Sequence, residues 1–103
     1  MATSKEYIEY VVGQIQANSS YRKIFGEYMI YIDGKPVLLV CDDIVFVKIL
    51  PETKVVLGND AEKGYPYDGA KEHYIIDPDD REIFNEIISV LRRVIPLPKK
   101  RGK

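Results

Sequence analysis

Hydrophobic positions along the chain change their period twice. Near the N-terminus Tyr7, Ile8, Val11, Val12 and Ile15 recur at helical spacing on one stripe. Thr3 and Glu6 stand ahead of them at the spacing of a capping box, in which the hydroxyl caps the helix and the acid reaches back. The pattern predicts a first helix over 4–17, ended by Asn18, Ser19 and Ser20. From Tyr21 onward the helical period gives way to short apolar runs between turn signals, which predict strands over 21–25, 28–32, 37–41 and 44–49. Asp33-Gly34 is a hairpin signal, because a type I′ turn needs positive φ at both central positions. Pro36 has no N–H to donate and is expected at a strand start or an edge-facing position. Asp42-Asp43 marks a second tight turn. The third and fourth strands are nearly all apolar. That suits a sheet covered by helices on one face and partly by a loop or partner on the other.

Pro51 breaks this series. The stretch "ETKVVLGND" reads as a short helix ending near Gly58, although Val55, Val56 and Leu57 would also suit a strand. "AEKGYPYDGAK" reads as a loop and "EHYIID" as a closing strand. Asp79 and Glu82 repeat the capping-box spacing. Ile83, Phe84, Ile87, Ile88, Leu91 and Val94 then form the apolar stripe of a last helix, stopped by Pro96 and Pro98. The order α-β-β-β-β-(α)-β-α predicts an α+β fold: an antiparallel β-sheet of about five strands with N- and C-terminal helices packed on it. Residues 1–97 are expected to form a single domain, and 98–103 a basic, disordered tail.

Composition narrows the function classes. With 15 Lys and Arg against 16 Asp and Glu, the net charge of −1 gives the whole molecule no bias toward polyanions or membranes. One cysteine, Cys41, rules out an intrachain disulfide. No apolar signal core opens the chain, and no run approaches the ~18 residues of a transmembrane helix. Eight tyrosines and no tryptophan are unusual; tyrosine suits a half-buried sheet surface or an interface.

Catalytic and metal chemistry find little support. His73 is the one histidine, with no nucleophile and orienting acid at a readable spacing. Cys41 ends an apolar strand, where a thiol behaves as a small buried hydrophobe. The acids of Asp42-Asp43 and of Asp77, Asp79 and Asp80 fit turn and cap roles better than a cation site. "GYPYDGAK" lacks the Gly-Lys-Ser/Thr ending of a phosphate loop, yet Tyr65, Tyr67 and Lys71 suit a recognition loop on a rigid scaffold. The segment "YRKIFGEY" sets Arg22, Lys23, Glu27 and Tyr28 around Gly26. The cluster reads first as a structural polar pairing at a sheet bend, Glu27 with Arg22 or Lys23, and second as a further candidate interaction site made of those four residues. Arg92 and Arg93, with Lys99, Lys100 and Arg101, form a basic C-terminus able to add non-specific nucleic-acid affinity. No cofactor motif is present, and the expected partner is a protein or a second copy.

"YRKIFGEYMIYIDGK", then "CDDIVFVK", then "PYDGAKEHYIID" and a closing helix before "IPLPKK" resemble the TfoX (Sxy) N-terminal domain family over nearly the whole chain. The motifs are the arginine followed by "FGEY", the "DGK" turn, the Asp-Asp hairpin and "PY-x-GAK". The resemblance implies a cytoplasmic, non-enzymatic α+β domain related to bacterial regulators of competence and transcription, here without the second domain of the full-length regulators. It carries over no catalytic residues. Ile24 and Met29 depart from the family pattern, where methionine and glycine are expected, and both keep apolar volume in a strand.

Overall fold

Asp33 and Gly34 adopt the geometry that their turn requires, with φ of 54° and 81°. Asp42 and Asp43 do the same with φ of 53° and 58°, tolerable because short Asp side chains find local hydrogen bonds in the left-handed region. Around these two turns the chain builds its sheet. The computed structural model describes residues 3–24 and 26–95. In chain order the elements are α1 (Lys5–Gly13), β1 (Ser19–Ile24), β2 (Glu27–Ile32), β3 (Lys35–Cys41), β4 (Ile44–Lys48), α2 (Pro51–Leu57), β5 (Lys63–Gly64), β6 (His73–Ile76) and α3 (Arg81–Val94). The six strands form one antiparallel sheet in the order β1-β2-β3-β4-β6-β5. The expected α+β architecture is present, with β5 as an added sixth strand.

The inner face of the sheet carries Tyr28, Ile30, Ile32, Val40, Val45, Val47, Tyr74 and Ile76, all buried. α1 covers it with Ile8 and Val11, and α3 with Phe84, Ile87, Ile88 and Leu91. Between β2 and β3 the register shifts by one residue, from Ile30↔Leu38 to Tyr31↔Pro36. This bulge lets Val37 and Leu38, neighbours in sequence, both be buried. It also seats Pro36 within β3, close to its start as expected. α2 is a helix and not a strand. It starts on Pro51 and ends at Gly58, whose φ of 81° only glycine adopts freely. The buried Thr53 hydroxyl accepts from the Leu50 N–H at 2.9 Å and donates to the Lys48 carbonyl at 2.9 Å, so it is not an orphan.

Two helix starts differ from expectation. Ser4, not Thr3, caps α1: its hydroxyl accepts the Tyr7 N–H at 3.1 Å. Thr3 is buried and used elsewhere. α1 also stops at Gly13, four residues short of the expected end. At α3 the cap position is Asp80, which makes no side-chain cap bond. Asp79 instead donates its backbone N–H to the Asp77 carboxylate at 2.9 Å, a turn ahead of the helix. The expected basic tail, 98–103, lies outside the described residues, as does Phe25.

Candidate functional site

Among the described residues no helix covers the outer face of the sheet. A straight row of directly opposed residues crosses it: Arg22 on β1, Met29 on β2, Leu39 on β3, Phe46 on β4 and Ile75 on β6. The row is apolar except at its β1 end. The tyrosine-rich loop after β5 leans over this face. Gly64 brings it close: a Cβ there would stand 2.9 Å from Ile75 Cδ1. The result is a cleft of about 470 Å³ between Pro66 and Tyr67 of the loop and Ile24, Glu27, Met29, Leu39 and Cys41 of the sheet. A smaller recess of about 140 Å³ continues along the row, sharing Met29 and Leu39 and reaching Phe46, Lys48 and His73. The cleft is mainly apolar with few polar groups, and its volume lies in the range of small-ligand and side-chain pockets.

The loop presents its tyrosines to solvent. Tyr65 is 64% exposed and Tyr67 59% exposed, and Lys71 is exposed beside them. His73 donates from Nδ1 to the Lys71 carbonyl at 2.7 Å, which pins the end of the loop and fixes the ring tautomer. Its ring meets Phe46 edge-on at 6.4 Å. His73 is thus a half-buried strand residue with a structural bond.

Glu27 is not free, and it does not form the expected pair with Arg22 or Lys23. One oxygen, Oε1, accepts the Thr3 N–H at 3.1 Å, the Thr3 hydroxyl at 2.7 Å and the Asp42 N–H at 3.0 Å. The Thr3 hydroxyl accepts the Asp43 N–H at 3.2 Å, and the Asp43 carboxylate accepts the Ser4 N–H at 3.1 Å. This clasp joins the start of α1, the start of β2 and the β3–β4 turn, and it closes one end of the cleft. Glu27 alone of the cluster holds this corner, and its donors are two backbone N–H groups and the Thr3 hydroxyl rather than Arg22 or Lys23. A carboxylate bonded to two N–H groups and a hydroxyl needs no cation.

The other members of that cluster separate. Arg22 faces outward opposite Met29, whereas Lys23 faces the helix side opposite Tyr28. Both are exposed, and neither forms an ion pair with another described residue. Tyr28 is a correction: it is buried in the core and meets Tyr21 edge-on at 5.5 Å, so it offers no surface to a partner. Its position opposite Glu27 in the strand alternation sends it inward. Arg22, Lys23, Glu27 and His73 therefore do not converge on one cleft.

Cys41 lies at the floor of the cleft and is only 4% exposed. Burial, and then the nearby Glu27 and Asp42 carboxylates, push its thiol up to about 11 from 9.0. It behaves as a protonated, apolar lining group. Among the described residues no set of three or more His, Cys, Asp or Glu could hold a metal ion. Nor is any helix among them long and apolar enough to cross a membrane.

The basic C-terminal set is partly consumed by the fold. Arg92 Nε bonds Asp33 Oδ2 at the β2–β3 turn, and Lys35 Nζ donates to the Arg92 carbonyl at 2.6 Å. Only Arg93 of the pair in α3 is exposed without such a contact. Lys99, Lys100 and Arg101 lie outside the described residues. Sequence reasoning found Tyr65, Tyr67 and Arg22 but not the cleft's floor of Met29, Leu39 and Cys41. The signal for the floor was the uninterrupted apolar character of β3 and β4, which requires cover on both faces.

No family model matches the chain, and no solved structure matches it. It is 32% identical over 105 residues to an uncharacterized 12.7 kDa protein in the trpE 5′ region of Spirochaeta aurantia, across 98% of this chain and 90% of that protein. The chain belongs to the family of that spirochaete protein.

Proposed function

We propose that the chain is a protein-interaction module of the TfoX N-terminal type. It meets its partner with the helix-free sheet face and the loop over 65–72, without chemistry of its own. The observation that carries this reading is the exposed Tyr67 lining an apolar cleft, with the exposed Tyr65 two residues before it in the same loop. Exposed aromatic residues beside an apolar recess are favoured anchors of protein interfaces. The motif resemblance supports the same class and extends it to a cytoplasmic regulator of transcription. Capture from native lysate by the tagged chain tests the reading. A partner should be recovered by the wild type and lost by a Tyr65→Ala/Tyr67→Ala variant of unchanged thermal stability. Recovery of no partner, or equal recovery by both chains, would refute it.

A further inference from the structure

β1 ends the sheet on one side as a six-residue strand whose four central residues are exposed. The opposite end, β5, has only two residues. A strand bonded on one side turns the N–H and C=O groups of alternate residues away from its neighbour, so β1 offers a ladder edge that no other described strand uses. The edge is also charged. Arg22 and Lys23 are adjacent in sequence, stand on opposite faces, and have no ion pair with a described residue. On the outer face Arg22 lies between two recesses. One, of about 310 Å³, is formed with Ser20, Tyr31 and Gly34. The other is the cleft entered past Ile24 and Met29. Ser20, Arg22 and Ile24 are spaced by two residues, the side-chain repeat of a strand.

We infer that β1 accepts an extended segment of a partner protein as a seventh strand, and that this segment carries two adjacent acidic residues flanked by apolar ones. The inference rests on the interaction-module reading and names the partner's chemistry. Main-chain bonds along β1 supply the ladder. Adjacent acids in the incoming strand point to opposite faces, as Arg22 and Lys23 do, so each meets one cation. The residue two positions from the Arg22-facing acid reaches the cleft beside Ile24 and should be apolar. A second copy is a poorer occupant. Pairing β1 with itself sets Arg22 and Lys23 of both chains, four cations, along one seam, and like charges across strands repel.

The test is a titration of the full-length, 15N-labelled chain with acetyl-Thr-Leu-Glu-Glu-Val-Thr-amide. Shift changes and slowed amide exchange are expected within Ser19–Ile24. The Lys-Lys counterpart should bind about tenfold more weakly or worse, from the loss of two surface charge pairs and the repulsion that replaces them. N-methylation at alternate peptide nitrogens should abolish binding. An Arg22→Glu/Lys23→Glu variant should invert the preference; should that variant fail to fold, the two altered peptides decide the matter on the wild type. No response at millimolar peptide, a response outside β1, or equal binding of the acidic and basic peptides would overturn the inference. So would β1 amides already protected in the free protein in proportion to its concentration, which would assign the edge to a second copy. A native partner that needs Tyr65 and Tyr67 but ignores the Arg22/Lys23 reversal would overturn this inference and leave the interaction-module reading standing.

Discussion

The Glu27 carboxylate holds Thr3 twice, accepting its backbone N–H at 3.1 Å and its hydroxyl at 2.7 Å through the same oxygen. Twenty-four residues separate the two, and the contact ties the residue just ahead of the α1 cap to the start of β2. The Asp42 N–H bonds the same oxygen at 3.0 Å, and the Thr3 hydroxyl also reaches the Val40 carbonyl at 3.2 Å.

Glu27→Ala should therefore leave the part-buried Thr3 N–H without its acceptor and leave the Thr3 hydroxyl only the Val40 carbonyl, 3.2 Å away. An unmade buried bond costs about 1–3 kcal/mol. In a domain of this size each kcal/mol lowers Tm by roughly 4–8 °C. Glu27→Gln keeps an acceptor oxygen and loses only the charge, so its loss should be the smaller of the two. Urea denaturation of both variants measures this. An alanine variant as stable as the wild type would remove the clasp from the account.

Asp33 has two jobs, a left-handed turn position at φ 54° and a partly exposed ion pair with Arg92. Exposed pairs contribute about 0–1 kcal/mol, so Asp33→Asn, which keeps the turn preference and loses the charge, should cost no more than that. Asp33→Val should cost more, because a β-branched residue at positive φ is strained by about 1–3 kcal/mol. Thermal denaturation of the two variants compares the effects, and equal losses would contradict the assignment of the turn as the dominant role.

Cys41 gives a pH signature. Its thiol holds its proton up to about 11 in the folded chain, against 9.0 for an unperturbed thiol. Between those values the unfolded chain releases a proton that the folded chain keeps, so stability falls as pH rises through this window and the contribution is complete below it. Tyr7, raised by burial and then by Asp43, Asp77 and Asp79, adds a loss of the same sign at high pH. Cys41→Ala should flatten the stability curve between pH 9 and pH 11, and iodoacetamide should label the native thiol at pH 8 about a hundredfold more slowly than the unfolded one from thiolate population alone. Parallel curves for the two proteins, or rapid labelling of the native chain, would contradict the buried, protonated thiol.

Local chemistry made most of the fold legible. Asp33-Gly34 announced its hairpin, Pro51 and Gly58 bounded α2, and the stripe from Ile83 to Val94 announced α3. What stayed hidden depends on groups that every residue carries. Glu27 invites pairing with Arg22 and Lys23, because cations are visible in a sequence; its real partners include two backbone N–H groups, which are not. Thr3 and Ser4 are adjacent hydroxyls, and spacing alone cannot say which one caps α1. The choice falls to Ser4 because Glu27 takes Thr3. β5 has two residues, too few to show a period. The burial of Tyr28 is not legible because exposure depends on register: in a strand that alternates, its inward position follows only once the outward face of Glu27 is fixed.

On the proposed reading, the helix-free face, the loop over 65–72 and the β1 edge together form the working surface of this protein. The most direct measurement is amide shift mapping of the labelled chain with the partner captured from lysate. Changes are expected at Tyr65 to Lys71, along β1 from Ser19 to Ile24, and at Met29 and Leu39 beneath the loop, with α1 and α3 undisturbed. Changes centred on the exposed sides of α1 and α3, with the outer face silent, would contradict that reading.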